Sequence, residues 1–141
     1  MPDGSAEPAS LADLFLDTTV LIDALRGRAA AARLRDLASR GDAPPWICAV
    51  NVEEIWRGAR PAEEPSILRL LGGLRLAPLR ASEGERAGCW RKDFAAAGVT
   101  LSQADCLVAA AALGVGARLA SGNPRDFPMH ELVVEHWPAG A

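Results

Sequence analysis

Leu14-Phe15-Leu16-Asp17-Thr18-Thr19-Val20-Leu21-Ile22-Asp23 joins a short apolar run to an acid and then to a helix-forming stretch. The run reads as a buried strand and the residues from Thr18 or Thr19 onward as the start of a helix, so Asp17 stands at a strand's carboxyl end. In an open α/β sheet those ends border the ligand crevice. A buried, unpaired carboxylate is costly. No Lys or Arg precedes Arg26, which makes a metal ion one candidate partner for Asp17. The other reading is a helix N-cap, for which Asp is a preferred residue.

Outward from this junction, helical and strand patterns alternate. A helix from Val20 to Ser39 is interrupted near Gly27, and Gly41-Asp42-Ala43-Pro44-Pro45 is a loop by its breaker residues. Trp46 to Val50 reads as a second buried strand, followed by a helix from Asn51 with Val52, Ile55, Trp56 and Ala59 on one face, ended by Pro61. Ser66 to Leu74 is helical and Leu74 to Leu79 a third strand. Helices over Ser82–Ala97, with Gly98 behind it, and Ser102–Leu113 precede strands at Arg118–Ser121 and Leu132–Glu135. Such alternation implies a parallel sheet covered on both faces, an α/β fold.

The 141 residues suit one domain with a core large enough to need no disulfides. Half the residues are hydrophobic, yet no run approaches the roughly 18 apolar residues of a membrane helix, and residues 1–13 form an acidic leader without the apolar core of a signal peptide. Both features favour a cytoplasmic protein. Cys48, Cys89 and Cys106 are widely spaced in apolar surroundings and read as reduced core residues. Trp46 and Trp56 read as core, while Trp90 and Trp137 stay open. The net charge of −3 does not advertise a nucleic-acid binder, but Arg26, Arg28, Arg33, Arg35, Arg40, Arg57 and Arg60 crowd one stretch of the chain. Arg forks suit phosphate contacts, and an Ala- and Arg-rich composition with solvated helix faces accounts for the same cluster.

Further acids fall at three places like that of Asp17, near strand ends and helix starts. Glu53 and Glu54 fall in the first turn after the second strand, Asp105 in the first turn of the Ser102 helix, and Asp126 just past Ser121. Each has a local explanation: a Ser-x-x-Asp capping pattern for Asp105, the helix dipole for Glu53 and Glu54, a turn for Asp126. Those explanations leave the shared placement unaccounted for.

Leu16-Asp17-Thr18-Thr19-Val20-Leu21-Ile22-Asp23 resembles the opening motif of PIN-domain ribonucleases, and of the VapC toxins of bacterial toxin–antitoxin pairs in particular. Asn51-Val52-Glu53-Glu54-Ile55-Trp56-Arg57-Gly58 resembles the second motif and selects Glu54 over Glu53, with Asn51 where the family usually has a hydroxyl. Ser102-Gln103-Ala104-Asp105 and the Ala-rich helix after it resemble the third. Leu119-Ala120-Ser121-Gly122-Asn123-Pro124-Arg125-Asp126-Phe127 resembles the fourth, whose acid falls at Asp126 or, in some members, at the place of Asn123. The four run in order over residues 14 to 127, inside a domain set at 14–138.

The resemblance implies a three-layer α/β/α fold with a mainly parallel sheet, and a divalent-metal endoribonuclease acting on tRNA or another structured RNA. Asp17, Glu54 and Asp105 would hold Mg2+ or Mn2+, as one ion or two, with Asp126 completing the catalytic quartet. Thr18, Asp23, Asn51, Ser121 and Asn123 would support them. An oxygen-only donor set agrees with Mg2+ or Mn2+ on chemical grounds alone. Arg26, Arg28, Arg57 and Arg60 are candidates for flanking phosphates. A homodimer and a VapB-type antitoxin covering the cleft are further implied. The apolar surplus of Ile67, Leu68, Leu70, Leu71 and Leu74 fits either a dimer face or extra core.

Other chemistries lack their residues. A haloacid-dehalogenase-type phosphatase needs a second Asp where Thr19 stands, and a phospho-receiver needs a late Lys where Lys92 is the only one. No P-loop pattern is present. The alternative from another class is a catalytically silent PIN fold that binds RNA or protein.

Overall fold

The three residues of β1, Leu14–Leu16, are all buried, as expected of a central strand covered on both faces. Successive side chains point to opposite faces. Phe15 joins a core with Cys48, Trp90, Cys106 and Leu119, while Leu14 and Leu16 join another with Leu21, Ile47, Ile55 and Ile67. These two cores define a three-layer α/β/α sandwich, seen in a computed structural model that describes residues 13–140.

After β1 come α1 (Thr18–Leu25), α2 (Ala29–Ser39), β2 (Trp46–Ile47), α3 (Ala49–Arg57) and α4 (Glu64–Gly72). Then follow β3 (Arg75–Leu76), α5 (Ala81–Ala96), α6 (Gln103–Gly114), β4 (Arg118–Ser121) and β5 (Val134–His136). The strand order is β3-β2-β1-β4-β5, and every pairing is parallel. The chain runs outward from β1 to one edge and then returns to the other. That reversal beside β1 makes the switch point at which parallel sheets bind ligands.

Several boundaries differ from the sequence reading for identifiable reasons. The expected break near Gly27 occurs because that residue adopts φ 68, a conformation open to glycine at little cost. The second strand stops at Ile47, short of Val50. The Asn51 side chain accepts the Cys48 backbone N–H at 2.9 Å, which starts α3 at Ala49 and leaves Glu53 and Glu54 beyond its first turn. The helix dipole therefore does not explain them. The third strand shrinks to two residues, and the last shifts to Val134–His136.

Cys89 is exposed on α5, whereas Cys48 and Cys106 are free and buried as expected. Of the two tryptophans expected in the core, neither is fully buried, and the two left open are. Trp90 and Trp137 are buried; Trp56 lies on the outer side of α3 at 36% exposure, and Trp46 is half-buried beneath the Arg75 guanidinium. Helical spacing put Trp56 beside Ile55 but could not show how narrow the buried stripe is. The leader 1–13 falls outside the described residues except for Asp13, whose carboxylate pairs with Arg75 at 3.1 Å. Among the described residues no helix is long and apolar enough to cross a membrane.

Candidate active site

Asp17 takes the cap role that the sequence offered, and it also lines a cleft. Its backbone N–H extends the sheet by donating to Ala120 O at 3.1 Å, and its Oδ1 accepts the Val20 N–H at 3.2 Å as the cap of α1. Thr19 Oγ1 donates to the same oxygen, and Ser121 Oγ donates to Oδ2 at 2.5 Å. Burial pushes the Asp17 pKa up, against the opposing pull of the Ser121 and Thr19 hydroxyls. Gly122 passes so close to α1 that a Cβ there would meet Thr19 Oγ1 at 3.1 Å, and its N–H donates to that hydroxyl at 2.8 Å.

Asp17, Glu54, Asp105 and Asp126 line one open cleft of about 430 Å³. They come from the end of β1, from α3, from the first turn of α6 and from the 3-10 turn Pro124–Asp126 after β4. Thr18, Thr19, Arg57 and Gly58 share the polar wall, and Ile22, Val108 and Phe127 supply apolar surface. Desolvation raises the pKa of Asp105, and the charges of Asp126, Asp17 and Glu54 raise it further. Asp105 thus feels the charge of the other three carboxylates.

Glu54 is held from the side of α1, where Thr18 Oγ1 donates to its Oε1 at 2.6 Å. Asn51 lies fully buried behind this pair and donates from Nδ2 to Thr18 Oγ1 at 3.2 Å. The α6 cap is Ser102, whose Oγ accepts the Asp105 N–H at 3.0 Å; the same hydroxyl steadies the charged form of the Asp105 carboxyl, which lines the cleft. Asp126 rather than Asn123 lines the cleft. Asn123 is exposed, and its backbone N–H donates to Ser121 Oγ at 2.9 Å.

Not every candidate reaches this cleft. Asp23 is buried at the α1–α2 junction, where Oδ2 accepts the Ala30 N–H at 2.9 Å and Oδ1 the Gly140 N–H at 3.0 Å. Arg28, the residue preceding α2, makes no side-chain cap, so Asp23 caps that helix from the preceding one. Glu53 is turned outward and pairs with Arg57 at 3.1 Å. Of the four candidate arginines only Arg57 lines the cleft. Arg60 pairs with Glu63 at 3.3 Å, Arg26 acts on that same carboxylate, and Arg28 is exposed.

Sequence reasoning missed Thr19 and the apolar wall. The adjacent hydroxyls of Thr18 and Thr19 were a signal for the first; the wall follows only from how α1, α6 and the Phe127 turn meet. Among the described residues, no three His, Cys, Asp or Glu side chains already stand close enough to clasp an ion together. The donors are all carboxylates, which fits a hard divalent cation such as Mg2+.

The PIN domain family model matches residues 14–129. Ribonuclease VapC10 of Mycobacterium tuberculosis is 34% identical over 120 residues, which cover 84% of this chain and 88% of that protein. Solved structures with the same fold include VapBC2 from Rickettsia felis bound to a promoter DNA fragment, with a TM-score of 0.75 at 22% identity. A toxin-antitoxin complex from Klebsiella pneumoniae gives 0.70, also at 22% identity. Each alignment covers 89% of this chain and 98% of the other. With four acids at the carboxyl edge of a parallel sheet, and a family match across the same residues, the chain belongs to the PIN-domain family, within its VapC ribonuclease branch.

Proposed function

We propose that this protein is the toxin of a toxin–antitoxin pair, a Mg2+-dependent endoribonuclease that hydrolyses phosphodiester bonds of tRNA or another structured RNA and so inhibits translation and growth. The observation that carries this reading is the convergence of Asp17, Glu54, Asp105 and Asp126, from four separate segments, on one open cleft. Asp17, Glu54 and Asp105 would hold the ion, and Mn2+ would substitute for Mg2+. A divalent ion bound there supplies an acidified water and a contact to the phosphate oxygens.

The remaining work falls to side chains. Asp126, exposed at the mouth, orients the attacking water. Arg57 leaves Glu53 for a flanking phosphate, an exchange made easy because an exposed ion pair is worth about 0–1 kcal/mol. Arg26, Arg28 and Arg60 meet phosphates farther out, so binding weakens with salt. The test is cleavage of RNA with Mg2+ or Mn2+ that stops on chelation. Undiminished cleavage in excess EDTA overturns the reading.

A VapB-type antitoxin is the proposed partner, setting a cationic side chain among the acids, where it relieves their repulsion as a metal would. A cytoplasmic setting follows from the RNA substrate. Homodimerisation is assigned to the face where Trp56, Leu68 and Leu76 are exposed, Leu68 at 64% and Leu76 at 63%. Sedimentation of Leu68→Asp, expected to be monomeric, tests that assignment.

A further inference from the structure

Asn51 has no exposed surface, and its two ends do different things. Oδ1 accepts the Cys48 N–H at 2.9 Å and caps α3. Because that backbone group can only donate, the amide orientation is determined, and Nδ2 faces Thr18 Oγ1 at 3.2 Å. A hydroxyl carries one proton and two lone pairs. With the Asn51 donor on one lone pair, the Thr18 proton goes to Glu54 Oε1, 2.6 Å away. A Ser or Thr at position 51 could turn its own single proton toward Thr18 or away from it. An amide nitrogen cannot accept, so the direction of the chain from Cys48 through Asn51 and Thr18 to Glu54 is fixed.

We propose that Asn51 is a positioning residue for the divalent-ion site, acting through Thr18 to hold Glu54 with Oε1 engaged and Oε2 left to the cleft. The strut joins α3 to α1 at the residue next to Asp17, so it sets the two carboxylates relative to each other. Groups that orient metal-binding side chains typically change affinity by roughly 10- to 100-fold when removed. The proposal rests on the metal-dependent reading above.

The experiment is calorimetric titration of the full chain with Mn2+ alone, without RNA, alongside thermal melting in EDTA. Thr18→Val keeps the shape of the side chain and leaves the Asn51–Cys48 cap intact. It is expected to weaken Mn2+ binding on the order of ten-fold, while Thr18→Ser stays near wild type. Asn51→Ala should weaken it similarly, and the double variant no more than the weaker single one, since both cut one path. Losses that multiply, or an Asn51→Ala protein that melts earlier yet binds Mn2+ as wild type does, would reduce Asn51 to a cap and overturn the proposal. If Asn51→Ala does not fold, the Thr18 pair decides alone: a Thr18→Val protein with wild-type affinity sinks the strut. A wild-type chain that binds no Mn2+ overturns the metal-dependent reading as well, which separates the two failures.

Discussion

Asp17 caps a helix and faces the cleft with the same carboxylate, so its substitution separates charge from structure. Asp17→Asn keeps an oxygen for the Val20 N–H and removes the charge; we expect a folded protein with cleavage abolished, checked by melting and by RNA assay. Glu54→Gln should do the same, whereas Glu53→Gln, altering a side chain that faces away from the cleft, should leave activity close to wild type. If Glu53→Gln is the inactive one, the motif is misaligned by one residue. Asp105 behaves differently because its folded-state pKa is raised. A carboxyl raised in this way opposes folding once pH exceeds that pKa, since its charged form is the disfavoured one. Asp105→Asn should therefore melt no earlier than wild type in EDTA, while Ser102→Ala, which removes the α6 cap, should lose about 1 kcal/mol.

At the level of elements, two connections depend on single acids outside the cleft. Asp23→Ala would leave the Ala30 and Gly140 N–H groups without their acceptor, and we expect a loss of about 2–3 kcal/mol in urea unfolding, with cleavage retained by the folded fraction. Glu83 closes the start of α5: its Oε1 accepts the Arg80 N–H at 2.6 Å and its Oε2 pairs with the Arg80 guanidinium at 3.0 Å. These bonds to Arg80 hold its pKa at about 2, against an ordinary 4.5. A depressed carboxyl stabilises the fold above the unfolded value and loses that contribution as pH falls through the folded one. The melting advantage of wild type over Glu83→Gln should be full above about pH 4.5 and vanish toward pH 2. An advantage independent of pH over that window would refute the assignment.

For the whole molecule, the expected consequence is toxicity that depends on the cleft. Expression of the wild-type chain should slow a bacterial host, co-expression of the adjacent small gene product should restore growth, and Asp17→Asn should be harmless without a partner. A soluble, well-expressed wild type that proves equally harmless would favour the silent binding module. Such a result, combined with intact Mn2+ binding, would locate the failure in RNA recognition rather than in the acids.

The alternation of apolar runs with helical periodicity was sufficient for the α/β class, because strand and helix impose different spacings on any chain that buries one side. Asp17, Asp105 and Asp126 were legible as acids beside a strand end or a helix start, whereas only the resemblance of the second motif selected Glu54 over Glu53. Local pattern could not measure how wide a buried stripe is, so it put Trp56 and Cys89 in the core, where the structure exposes them, and left open Trp90 and Trp137, which are buried. Nor could it show that Asp23 faces the C-terminal segment, that Asp126 rather than Asn123 meets the cleft, or that Asn51, Thr18 and Glu54 are joined. Those facts depend on the angles at which α1, α3 and the turn after β4 leave the sheet. Such angles are set by packing between residues 33 to 117 positions apart in the chain, a scale at which only tertiary structure decides.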